Sequence, residues 1–229
     1  MRVLLTNDDG ITAPGLRALE EAVTQLGWQP VVVAPAVEQS MCGHRVTTHQ
    51  PLKVEHHAEH RHAVHGTPAD CVRIALFALD VKPAFVLSGV NAGGNLGQDI
   101  VISGTVAAAR EAAYHGLRSF AFSHYMIRGL AVDWRRTASW IAEILGETHT
   151  QEQPHRTFWN VNLPHLPPDV QTLPPRIACP PARSPLNVSY IRNEHGFAYT
   201  ASYADRPRDP GSDVDACFSG NIAVSLLHV

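Results

Sequence analysis

Arg2 to Thr6 is a short, almost wholly apolar run of β-branched and leucine side chains, the pattern of a strand covered on both faces. It stops abruptly at Asn7-Asp8-Asp9-Gly10, a poor strand continuation and a good turn. Pro14 to Leu26 then carries apolar residues at Leu16, Leu19, Ala22, Val23 and Leu26, the recurrence of an amphipathic helix, with Pro14 in its first turn and Gly27 as its stop. Pro30 to Ala34 is a second buried strand. This strand–helix–strand opening predicts parallel strands joined by a right-handed crossover, the start of an α/β sheet. In such sheets ligands bind at the carboxyl ends of the strands, where Asp8 and Asp9 fall.

Two adjacent carboxylates repel each other and lose hydration unless a cation lies between them. Neighbours on a strand point to opposite faces, so both can serve one site only because the chain is turning there. Their hard oxygens suit magnesium, manganese or calcium better than zinc. An Asp-Asp-Gly surface turn is the bland alternative, and the motif alone leaves both open.

The totals narrow the classes. A chain of 229 residues suffices for one large α/β domain, and 45 % hydrophobic with 17 % charged residues describes an ordered protein. A net charge of −3 argues against a broad nucleic-acid-binding face. No apolar run approaches a membrane span, and the N-terminus lacks the pattern of a signal peptide. Cys42, Cys71, Cys179 and Cys217 are scattered without C-x-x-C spacing, which leads us to expect a reduced, cytoplasmic chain.

Several later stretches bear on chemistry. The polar run Ala36 to Gln50 follows the second strand and lies beside the Asp8/Asp9 turn if the two strands are neighbours. Its Ser40 is either a metal or phosphate ligand or part of a solvated loop. His56, His57, His60, His62 and His65 invite a zinc reading, but no cysteine accompanies them, and a variable hairpin is preferred. Thr67, Pro68 and Asp70 open a capped helix that continues through Ala78. After the buried strand Ala84 to Leu87 comes Ser88-Gly-Val-Asn-Ala-Gly-Gly-Asn-Leu-Gly97, read as a loop whose backbone can approach a ligand closely. Asn91 and Asn95 offer carbonyl oxygens to a cation or N–H groups to an oxyanion. Ser103-Gly104-Thr105 precedes an alanine-rich helix, where capping and anion binding would use the same N–H donors. Neither a G-x-x-x-x-G-K-[ST] loop nor a G-x-G-x-x-G turn after the first strand is present.

Leu117 to Ser123 reads as a strand, Ala131 to Leu145 as a helix, and Thr157 to Leu163 as the last strand of the main sheet. The proline-rich stretch Pro164 to Pro185 marks a change of style. We therefore expect a catalytic domain over 1–165 and a β-rich extension over 166–229, packed on or continuing it, with a hairpin turning at Asn193-Glu-His-Gly196 and a closing strand Ile222 to Val229.

Taken together, Thr6-Asn-Asp-Asp-Gly10, Val33-Ala-Pro35 with Ser40, Gly66-Thr-Pro-Ala-Asp-Cys-Val72, the run Ser88 to Gly97, Ser103 to Ala109 and Asn160-Val-Asn-Leu-Pro164 resemble the SurE family of stationary-phase survival proteins. The resemblance runs nearly end to end. It implies a doubly wound, mostly parallel Rossmann-like sheet with a smaller β-rich C-terminal extension, and a metal-dependent phosphatase acting on nucleoside 5′- and 3′-monophosphates, with short polyphosphate as a further substrate. It also implies one divalent cation per subunit (magnesium or manganese, with calcium able to replace them in a crystal), held by Asp8, Asp9, Ser40 and Asn91. Asp8, Asp9 and Asn95 become the catalytic residues, and Gly43, Asn95, Ser103, Gly104 and Thr105 the phosphate contacts. Family members form homodimers or homotetramers, helped by a C-terminal segment beyond the motifs matched here. This chain departs from the family at Gln39-Ser-Met-Cys-Gly-His44, where an Arg-Ser-Gly-Ala-Ser type run is usual, and at Ser225-Leu-Leu227. The competing readings are an aspartyl-phosphate phosphatase, which usually wants D-x-D spacing, and a nucleotide- or phosphate-binding regulatory module without turnover.

Overall fold

A computed structural model describes residues 1–229. The strands are β1 (Arg2–Thr6), β2 (Gln29–Pro35), β3 (Val54–Ala58), β4 (Arg61–Val64), β5 (Phe85–Ala92), β6 (Arg118–His124), β7 (Thr157–Leu163), β8 (Arg176–Ala178), β9 (Tyr190–Asn193), β10 (Gly196–Tyr199) and β11 (Ile222–His228). The helices are α1 (Pro14–Gln25), α2 (Pro68–Arg73, running into a π turn over Ile74–Ala78), α3 (Asp99–Ile102), α4 (Gly104–Tyr114), α5 (Trp134–Thr148) and α6 (Asp213–Phe218). No helix is long and apolar enough to cross a membrane.

Nine strands form one sheet in the order β3-β4-β2-β1-β5-β6-β7-β11-β8. From β4 through β7 every pairing is parallel. β1 lies between β2 and β5, so the chain winds first to one side of it and then to the other. The crevice beyond Thr6 is thus the topological switch point of a doubly wound sheet.

Alternation along the central strands feeds two layers of helices. Val3 and Leu5 point to the face where Leu16, Leu19 and Val23 of α1 meet Ile141 and Leu145 of α5. Leu4 points to the other, against Val72 and Ala75 near α2 and Ala108 and Ala112 of α4. Contact on the first face is close: a Cβ at Gly15 in α1 would stand 1.9 Å from the Val90 carbonyl oxygen, so only glycine lets this helix settle on β5. On the second face the run Ala107-Ala108-Ala109 is fully buried, its small side chains letting α4 lie low against the sheet.

Three expectations are corrected. Thr157–Leu163 is not the last strand, because β11 pairs antiparallel with it and β8 lies beyond. All of β7 except Trp159 is buried, which an edge position would not allow. The segment after Leu87 is not yet a loop: β5 runs on to Ala92, pairing with β6 again at Asn91 and Ala92 after a register shift. Lastly, α5 starts at Trp134 rather than Ala131, because the Asp133 side chain accepts from the Arg135 and Arg136 N–H groups and fixes the cap. The hairpin β9–β10 forms a separate two-stranded sheet.

Candidate active site

Beyond β1 the chain turns sharply. Asn7 Nδ2 donates to Gly10 O at 2.9 Å, and Gly10 adopts φ +99°, a conformation that L side chains rarely take. The turn sends Asp8 and Asp9 into one cavity of about 600 Å³, within the range that takes a drug-sized ligand. Ser40, Asn91, Asn95 and Ser103 line the same cavity.

Asp8 is 5 % exposed and faces the N-terminus of α4. The Thr105 hydroxyl donates to Asp8 Oδ1, and the nearby Thr105 backbone N–H also favours the carboxylate charge. Burial still prevails: it lifts the Asp8 carboxyl from 3.8 to about 6, with the Asp9 charge pushing the same way and the Thr105 donors opposing. Asp9 is raised too, first by burial and then by Glu38, although Oδ2 accepts from Ala92 N–H at 3.1 Å.

The loop after β2 is tied to this turn, Gln39 N–H donating to Asp8 O at 2.7 Å. It brings Ser40, whose hydroxyl donates to Glu38 Oε1 at 2.5 Å. The Asn91 amide donates to Gly93 O at 2.8 Å, which leaves its side-chain oxygen as the group to offer a ligand. Asn95 is gripped from several sides. Its N–H donates to Asn162 Oδ1 at 2.8 Å, its carbonyl accepts from Asn160 Nδ2 at 2.9 Å and Asn162 Nδ2 at 3.1 Å, and its Nδ2 donates to Ser123 Oγ at 2.7 Å.

Not every predicted contact faces the cavity. Gly43 is outside its wall, its N–H donating to Ile102 O at 2.9 Å. Thr105 is fully buried behind Asp8, and Gly104 lies against the Asp8 side chain. Ser103 caps α4, its Oγ accepting from Val106 N–H at 3.1 Å, and it does line the cavity. Glu38, two residues before Ser40, also lines the cavity, as do Asp99, Tyr203 and Arg206, and nothing in the local sequence marks these four as site residues. Arg206 is the one basic residue in the cavity wall and is spent on Asp99, at 2.6 and 3.1 Å. At the hairpin β3–β4, His56 Nδ1 and His62 Nδ1 stand 2.8 Å apart, and no three His, Cys, Asp or Glu side chains gather there as metal ligands.

The balance at the switch point is therefore acidic, with Asp8, Asp9 and Glu38 facing a cavity that holds no free cationic side chain. Two carboxylates, a hydroxyl and an amide oxygen form the donor set that a hard divalent cation takes. Residue types of this kind suit such an ion, though no three His, Cys, Asp or Glu side chains converge on one point here either, and its charge would offset the burial that raises both aspartates and the neighbouring carboxylates that add to it.

A doubly wound α/β protein with an acidic, oxygen-lined cavity at its switch point is the class that fold and site define. Known proteins place it more closely. The family model described as "Survival protein SurE" matches residues 3–177. A protein of Nostoc sp. is 49 % identical over 229 residues, with the whole of both chains covered. The 5′-nucleotidase SurE of Geotalea daltonii is 38 % identical over 235 residues, covering 100 % of this chain and 93 % of its own length. Among solved structures, the SurE protein of Aquifex aeolicus superposes with a TM-score of 0.86 at 32 % identity, over 100 % of this chain and 93 % of that one. The chain belongs to the SurE family.

Proposed function

We propose that this chain is a divalent-metal-dependent phosphatase that hydrolyses nucleoside 5′- and 3′-monophosphates. The observation that carries this reading is the acidic cavity at the switch point, which has no free basic side chain yet belongs to a family whose members include proteins named 5′-nucleotidase. A phosphate dianion could not enter such a cavity without a cation, so the acidity argues for metal and substrate together. Asp8, Asp9, Ser40 and Asn91 would hold the ion. When bound, it supplies positive charge to the phosphate oxygens and acidifies a water molecule. Asn95, fixed by Asn160, Asn162 and Ser123, holds a phosphate oxygen, and Ser103 offers its hydroxyl to another. Asp9, the more accessible of the pair, orients the attacking water, while Asp8 stays locked to Thr105.

The choice of magnesium or manganese, short polyphosphate as a further substrate, a cytoplasmic location, and assembly as a homodimer or homotetramer belong to the same reading and rest on the family. Residues 1–165 would carry the catalytic machinery, with 166–229 closing the far side of the cavity. Phosphate release from a panel of nucleoside monophosphates with magnesium, manganese or EDTA tests the proposal. Release that needs the metal supports it. Nucleotide binding without any release would favour a regulatory module instead.

A further inference from the structure

The cavity lining divides into two groups of different character. Asp8, Asp9, Glu38 and Ser40 are acidic or polar and come from the loops after β1 and β2. A second group comes from one stretch of chain around the β9–β10 hairpin, and Leu186, Asn187, Tyr199, Ala201 and Ser202 bring no carboxylate or basic side chain to it. Such a division suits a ligand with a charged head and a flat, uncharged body.

Side-chain hydrogen bonds tie this second group to residues 98 and 99. Leu186 N–H donates to Gln98 Oε1 at 3.1 Å on one side of the hairpin. On the other side the Tyr203 hydroxyl donates to Asp99 Oδ2 at 2.8 Å, and Arg206 grips both oxygens of Asp99. Gln98 and Asp99 belong to the short segment that also carries Asn95. Arm and phosphate seat thus share one anchor.

The two tyrosines of the arm differ in what remains free. Tyr203 has the Arg206 guanidinium 4.3 Å over its ring and Tyr125 stacked at 6.1 Å, so its ring already has partners and its hydroxyl is spent on Asp99. Tyr199 meets Tyr190 edge-on, with centroids 5.5 Å apart and planes at 75°, and stays 54 % exposed while lining the cavity. A largely exposed aromatic ring in the cavity lining, steadied by one aromatic neighbour, is a stacking platform for a nucleobase.

We infer that Tyr199 is the surface on which the base of the nucleotide stacks, and that the Arg206–Asp99 pair is the positioning device that ties the arm carrying this surface to the segment that also carries Asn95. The inference rests on the phosphatase reading for the acidic group of the lining, but it concerns binding and not turnover. Stacking is tolerant of sequence and grows with ring area, so purine nucleotides should be preferred over pyrimidine ones.

AMP and ribose 5-phosphate share phosphate and sugar and differ only in the base, which makes them the test pair. Tyr199→Ala should lower kcat/KM for AMP by about tenfold, the scale of losing one base–aromatic stack, mainly through KM. It should leave ribose 5-phosphate within about twofold, since that substrate has nothing to stack. Tyr199→Phe, which keeps the ring, should restore AMP. Arg206→Lys keeps the charge but loses the two-point grip, and should raise KM for AMP selectively. Equal loss on both substrates, or no loss on either, overturns the inference. If the wild-type protein releases phosphate from neither compound, the phosphatase reading fails by itself. Equilibrium AMP binding in magnesium then decides, since no turnover interferes: weaker binding by Tyr199→Ala with recovery in Tyr199→Phe supports the stack, and equal binding by wild type and Tyr199→Ala refutes it.

Discussion

Gly104 presses against Asp8: a methyl group on Gly104 would stand 2.9 Å from Asp8 Cβ and 3.1 Å from Oδ2, with Cys42 Sγ also 2.9 Å away. This glycine answers a close approach between the first turn of α4 and the buried carboxylate, and that approach lets Thr105 reach Asp8.

Gly104→Ala should therefore displace Asp8 while leaving the fold in place. Phosphate release should fall by at least about tenfold, the usual effect of disturbing a group that orients a metal ligand, with thermal unfolding shifted only modestly. Parallel activity and calorimetry on the purified variant check this. A fully active Gly104→Ala would mean that the Asp8–Thr105 geometry is dispensable.

Proton and metal should compete at Asp8. Burial, aided by Asp9, raises its carboxyl to about 6, above its unfolded value. A raised carboxyl contributes stability that is fully present below about 3.8 and is lost as pH rises through about 6. The metal-free protein thus carries an uncompensated charge at pH 7.5. Magnesium or manganese should raise Tm more at pH 7.5 than at pH 5, where the ion must first expel a proton. Scanning calorimetry at the two pH values, with and without metal, reads the difference directly.

Glu111 presents the opposite sign. It is 2 % exposed on α4 and accepts from Arg73 Nε at 2.6 Å, with His44 Nε2 at 2.7 Å and His115 Nε2 at 2.9 Å. Burial works against its charge, but these three hydrogen bonds outweigh it and hold the carboxyl at about 2. Its contribution should be complete above about 4.5 and disappear as pH falls through about 2. Glu111→Gln should cost about 1–3 kcal/mol, less than a fully buried pair would, because the three partners reach solvent. Urea denaturation at neutral pH gives the value.

Asn162 acts on the site from a distance. It bonds both the N–H and the carbonyl of Asn95, so Asn162→Ala should loosen Asn95 without removing it. Turnover should fall by about 10–100-fold, the cost of losing a supporting shell, with metal affinity unchanged. Equal losses in turnover and metal affinity would show a general collapse instead.

The sheet was legible because its strands are buried on both faces and its turns are abrupt: Arg2 to Thr6, Pro30 to Ala34 and the carboxylates after them follow from local pattern. Local pattern misled at Ser88 to Ala92, where glycines and asparagine speak for a loop and pairing with β6 overrides them. It also misplaced Thr157–Leu163, since only the return of β11 from about sixty residues later makes that strand interior. Among site residues, Asp8, Asp9, Asn91 and Asn95 announce themselves by residue type beside a strand end. Tyr199 and the Asp99–Arg206 pair do not, because a partner 107 positions away leaves no periodic trace.

The central claim is that a cation seated between Asp8 and Asp9 makes this chain a phosphatase, and Asp8→Asn tests it most directly. The amide keeps the shape and the Thr105 hydrogen bond but removes the charge. Phosphate release from AMP in saturating magnesium or manganese should fall by at least about 100-fold, with the metal-dependent gain in Tm lost and the metal-free protein at least as stable as wild type. Wild-type release rates from Asp8→Asn, with no response to EDTA, would contradict the account.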